Sequence, residues 1–68
     1  MNNFKRFRKC AGLKQVDAAA RLAVAQSTIS MWETGESLPR AELLPKIAAL
    51  YGCTIDDLYG EGSIADAS

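Results

Sequence analysis

The sequence predicts an all-α domain, a compact bundle of five short helices. Three observations predict it. Apolar residues recur at spacings of three and four, and no stretch alternates convincingly as a strand would. Gly12, Gly35, Pro39, Pro45, Gly52 and Gly60 cut the chain into short segments of that period. The chain has 68 residues, 49% of them hydrophobic and 24% charged, which is the size and balance of one small globular domain.

The first helix is predicted over residues 3–11. Phe4, Phe7, Cys10 and Ala11 form one apolar stripe. Asn2 or Asn3 starts it, and Gly12 can take the left-handed conformation that ends it. The second covers residues 15–22, with Val16, Ala19, Ala20 and Leu22 available for burial. After Ala23-Val24-Ala25, a third runs over residues 26–32 and buries Ile29 and Trp32. Residues 34–39 form a loop. The fourth covers residues 41–51, with Leu44, Ile47, Ala48 and Tyr51 on one face. Pro45 requires a late start near Glu42 or a kink, because proline fits only the first turn of a helix. Thr54, with Asp57 three residues on, caps a last short helix ending near residue 59, whose Ile55 and Leu58 face the core. The domain is expected over residues 1–60, followed by a flexible tail over residues 61–68.

Composition narrows the function. No apolar run is long enough for a membrane span, and no apolar stretch follows the basic N-terminus as in an export signal. The expected compartment is a reducing cytoplasm, with Cys10 and Cys53 as unpaired small apolar residues. Without histidine, and with two distant cysteines, no metal site and no cofactor are expected. Ser27, Ser30 and Ser37 have no evident base, and Asp56 and Asp57 diverge as helix neighbours, so the chain does not read as an enzyme.

The net charge is zero, but the two signs are segregated. Residues 1–30 carry Lys5, Arg6, Arg8, Lys9, Lys14 and Arg21 against Asp17 alone, a net +5. Residues 31–68 carry Arg40 and Lys46 against Glu33, Glu36, Glu42, Asp56, Asp57, Glu61 and Asp66, a net −5. Such a dipolar molecule can turn its positive half to a phosphate backbone, although solvated helix faces alone produce blocks of this size.

The second and third helices are joined by about three residues, which forces a sharp crossing. Ala19 is small enough for the close approach, Ala23 is the candidate for an unusual backbone conformation, and Val24 plugs the gap. Gln26, Ser27, Thr28, Ser30 and Met31 then form an uncharged outer face. Such side chains suit base edges in a major groove: an amide pairs with adenine, hydroxyls donate or accept, and methyls touch thymine. A merely solvated polar face has the same composition. Trp32 could stack on a base, but its helical position is that of a core residue.

The string Gly12-Leu13-Lys14-Gln15, then Ala19, Leu22 and Val24, then Ser27-Thr28-Ile29-Ser30, then Trp32-Glu33-Thr34-Gly35 and Pro39 resembles the phage Cro and repressor helix-turn-helix family, also called the xenobiotic-response-element family. The similarity continues through LLPKIAALYGCTIDDLYG at residues 43–60 and covers roughly residues 4–60. It implies a lambda-repressor-like DNA-binding domain that places its third helix in the major groove. By resemblance, Gln15 touches a phosphate, while Gln26, Ser27, Thr28, Ser30 and Met31 form the recognition surface, with Gln26, Ser27 and Met31 on base edges; Lys14, which departs from the family pattern, is expected to offset its missing cap by pairing with a phosphate. Thr34 contacts the DNA backbone, and Arg8 and Glu33 form a partly buried structural ion pair. Lys14 and Ala25 depart from the pattern, standing where Ser or Thr caps a helix; Ala23 stands where Gly is common, Ala18 where a larger aliphatic residue is usual, and Glu36 in a loop that often carries a cation.

The resemblance implies a transcriptional regulator, a Cro-like minimal repressor acting as a weak homodimer on a double-stranded operator of inverted half-sites. Ile55, Leu58, Tyr59 and Ile64 are the expected dimer surface. The alternative is a protein-interaction module, or an antitoxin with a toxin as protein partner, that uses the same fold; the zero net charge and Glu36 favour it.

Overall fold

The computed structural model describes residues 2–59. The expected boundary at residues 60 and 61, the tail and Ile64 lie outside the described residues. Five α-helices are present: α1 (Phe4–Cys10), α2 (Gln15–Leu22), α3 (Gln26–Thr34), α4 (Leu44–Tyr51) and α5 (Ile55–Tyr59), with a 3₁₀ turn at Ala41–Leu43 before α4. No strand occurs among the described residues. No helix among them is long and apolar enough to cross a membrane.

Each helix contributes to one core, formed by Phe4, Ala18, Ala19, Leu22, Ile29, Trp32, Ile47, Ala48, Tyr51 and Leu58. Helix α1 packs on α3, α4 and α5, and α2 packs on α3 and α4. Phe4 joins α1 to α3 and α5, with its ring 6.3 Å from Trp32 and edge-on to Tyr59 at 5.6 Å.

The stripe expected on α1 is corrected. Phe4 is buried and Phe7 half-buried, but Cys10 and Ala11 are exposed, and Arg8 takes the inward position. Asn3 is the N-cap of α1 but makes no side-chain cap bond; Asn2, one residue earlier, accepts the Phe4 N–H on its Oδ1 at 3.1 Å. Its Nδ2 donates to the Trp32 carbonyl, while Asn3 donates to Leu58 O from its backbone and to Asp57 O from its side chain. Two asparagines therefore pin the start of α1 to α3 and α5, contacts that helical periodicity does not encode.

On α2 the buried set is Ala18, Ala19 and Leu22, whereas Val16 and Ala20, expected inside, are exposed. The close approach of α3 selects the small residues, and Ala18 is fully buried. The start of α2 has half a capping box: the Asp17 carboxylate accepts the Lys14 N–H at 3.1 Å, and a lysine side chain cannot accept in return. Pro45 sits in the first turn of α4 because the 3₁₀ turn absorbs the preceding residues; the helix starts late and no kink is needed. The capping box at α5 is complete, with Thr54 N to Asp57 Oδ2 and Asp57 N to Thr54 Oγ1, both 3.0 Å. Leu58 is fully buried as a core residue, which removes it from the expected dimer surface, and Tyr59 packs beside it on Phe4, whereas Ile55, expected to face the core, is exposed because it lies on the far side of so short a helix.

Candidate functional site

Ala23 supports the site with φ 59° and ψ 43°, the left-handed conformation expected of the hinge. This ends α2 and turns the chain so that the Val24 N–H reaches the Ala19 carbonyl at 3.0 Å. Val24 is half-buried against the core. Helix α3 begins at Gln26 and is anchored by Ile29 and Trp32, both buried. It runs two residues beyond the expected end, to Thr34, because Gly35 at φ 89° closes it rather than the polar residues before it.

The outer face divides in two. Gln26, Ser27 and Met31 are exposed, whereas Thr28 and Ser30 are half-buried and offer less of their side chains to a partner. Lys14 is exposed immediately before α2. Thr34 is the last residue of α3, and its hydroxyl lies 3.2 Å from the Met31 carbonyl and 3.3 Å from Glu36 Oε1. A single hydroxyl proton serves one of these acceptors at a time, so Thr34 is tied to its own turn.

Behind this face lies a chain of polar contacts. Arg8 donates from Nε to Glu33 Oε2 at 2.6 Å, from Nη2 to Glu33 Oε1 at 3.3 Å, and from Nη1 to the Leu13 carbonyl at 2.9 Å. Both side chains are almost wholly buried, at 7% and 6% exposure. The hydrogen bond to Glu33 holds the Arg8 pKa above its ordinary value, against the opposing effect of burial. The Glu33 Oε1 also accepts from Gln15 Nε2 at 2.9 Å, and Gln15 Oε1 accepts from Gln26 Nε2 at 3.2 Å. Four side chains from α1, α3 and α2 thus connect the interior to the exposed end of α3. The sequence carries no periodic signal for the Gln15–Gln26 contact, because it depends on the crossing angle of two helices.

Tyr51 packs nearby with its hydroxyl buried and without a hydrogen-bond partner among the described residues. Burial, reinforced by the Glu33 carboxylate, pushes this hydroxyl up to about 12. Burial also raises the Cys53 thiol, helped by Asp57. Cys10 and Cys53 are both free. No group of three potential metal ligands occurs among the described residues.

A protein-family model described as helix-turn-helix matches residues 4–58, nearly all of the described chain. A 26 kDa repressor protein of Escherichia phage HK022 is 40% identical over 47 residues, which cover 69% of this chain and 20% of the phage protein. The chain thus spans about one fifth of the length of that relative. An uncharacterized HTH-type transcriptional regulator of Methanocaldococcus jannaschii is 36% identical over 58 residues, 85% of this chain and 88% of that protein. No solved structure matches the chain.

Proposed function

The chain belongs to the helix-turn-helix family, and on that premise we propose that it is a sequence-specific double-stranded-DNA-binding transcriptional regulator, a repressor rather than an enzyme. Helix α3 enters the major groove. The observation that carries this reading is the exposed, uncharged face of Gln26, Ser27 and Met31, on a helix whose opposite side is clamped by Ile29, Trp32 and Glu33. Such a face buries no charge and can exchange its water for hydrogen bonds to base edges, and its rigid anchoring limits the ordering cost of binding. Gln26 and Ser27 contact bases, and Met31 offers an apolar surface to a thymine methyl. Lys14 and Gln15 hold phosphates beside the start of α2. Thr28, Ser30 and Thr34 contribute at the margins, nearer the DNA backbone.

One such helix covers only a few base pairs, so the regulator acts as a two-fold dimer on half-sites about 34–36 Å apart. The exposure of Ile55 supports a dimer contact at α5. The phage relative's name, a repressor, supports the direction of regulation.

Selection from a random duplex pool, followed by titration of the winner against salt, tests the reading. The expected result is an enriched inverted repeat whose log affinity falls with log salt by about 0.9 per phosphate contact. No enrichment, with binding lost near physiological salt, would defeat it. A protein partner, as in an interaction module or antitoxin, would then be the reading to pursue, consistent with the exposed Glu36.

A further inference from the structure

We propose that Glu33, which touches no base, sets the sense in which Gln26 reads DNA, acting through the amide of Gln15. The proposal rests on the DNA-binding reading above and names a positioning residue for it.

A guanidinium only donates and a carboxylate only accepts. Arg8 meets Glu33 through two donors and the Leu13 carbonyl through a third, so the rigid fork that holds the carboxylate is itself fixed by the backbone. An amide facing that carboxylate must present its NH₂. Gln15 does so at 2.9 Å, which turns its Oε1 outward. That oxygen accepts from Gln26 Nε2 at 3.2 Å. One Nε2 hydrogen of Gln26 is thereby engaged, leaving the second hydrogen and Oε1 for the groove. A donor and an acceptor side by side match adenine, whose N7 accepts and whose N6 donates.

The sense of the amide also matters. Locked, it meets N7 and N6 in one order only, and so finds adenine on one strand. Unlocked, it can turn over and meet adenine on the opposite strand. The first property lost without Glu33 is therefore the distinction between A·T and T·A at that base pair.

The test uses the full chain and duplexes carrying all four base pairs at the position where Gln26→Ala relaxes preference. Arg8→Met with Glu33→Leu replaces the ion pair by apolar side chains, an exchange that commonly leaves a fold intact. This double variant is expected to lose roughly tenfold of the A·T over T·A discrimination, on the scale of one bidentate contact, and to keep discrimination at the bases read by Ser27 and Met31. Gln15→Ala is expected to lose the same discrimination, and the triple variant no more than either. A folded double variant with the wild-type ratio would overturn the proposal. Should that variant not fold, Gln15→Ala decides alone, and an unchanged ratio overturns it. Side-chain amide NMR of the free protein separates this from the DNA reading. A Gln15 amide proton shifted by its hydrogen bond to Glu33, with a cross-peak to the Gln26 amide, is expected in the wild type and not in the double variant. Identical amide signals in both would overturn the polarity argument, whereas a wild type that selects no duplex defeats only the function.

Discussion

Helix α5 begins on a capping box closed from both sides, Thr54 and Asp57 each satisfying the other's backbone N–H at 3.0 Å. Helix α3 begins on Ala25, whose methyl group can satisfy nothing. The five-residue helix therefore carries the stronger local start, and the nine-residue helix proposed to read DNA carries none. What holds α3 lies elsewhere in the chain: Ile29 and Trp32 in the core, Glu33 on Arg8, and Gln26 on Gln15. A short helix at the edge of a bundle needs local hydrogen bonds. A helix clamped by its neighbours can leave its first turn open for a ligand.

The largest expected effect attacks that distant clamp. Glu33→Ala leaves Arg8 buried and unpaired, and should lower stability by about 3–5 kcal/mol in a urea or thermal melt. A loss below about 1 kcal/mol would mean that apolar packing alone holds α3. The two helix starts give the next contrast. Thr54→Ala should cost about 1 kcal/mol, and Ala25→Ser should add about as much. Equal and opposite changes in midpoint would support the comparison, whereas an inert Ala25→Ser would show that tertiary contacts have already compensated for the absent cap.

The hinge between the two regions offers a smaller gain. Ala23→Gly relieves a side chain from the left-handed region but loosens the unfolded chain, for a net stabilisation of up to about 1 kcal/mol. Tyr51→Phe is the mildest change at neutral pH, unchanged or more stable by at most about 1 kcal/mol, because the buried hydroxyl has no partner to lose. Its signature appears in alkali. The native hydroxyl titrates near 12 against an ordinary 10, so the folded state retains a proton that the unfolded chain has lost. That contribution to stability is present below the ordinary value and disappears as pH rises from 10 towards 12. The phenylalanine variant should lose this part of the alkaline fall, measured as the difference between the two proteins' stabilities across that range.

Much of the fold was legible in the residues. The bounds of α2, the left-handed Ala23, the buried Ile29 and Trp32, and the Thr54–Asp57 box each follow from a local rule acting over a few positions. The misreadings share a cause. Val16, Cys10 and Ile55 are apolar residues at permissible helical spacings, yet all three are exposed, because periodicity names a stripe without saying how wide the neighbouring helices leave it. The surface of α3 was legible as a set of side chains, but not its division into exposed Gln26, Ser27 and Met31 and half-buried Thr28 and Ser30.

By itself, then, the sequence determined the helical class, the breaks between helices and the chemistry of the outward face, since these depend on side-chain period, on backbone freedom at single residues and on functional groups. The Arg8–Glu33 pair was expected from family resemblance alone, and helix packing settled the rest: Gln15 spans the gap from Glu33 to Gln26, and Asn2 and Asn3 tie α1 to α3 and α5. Hydrogen bonds act over about 3 Å. Which groups come that close, across separations as large as that between Asn3 and Asp57, is set by the angles at which the helices pack.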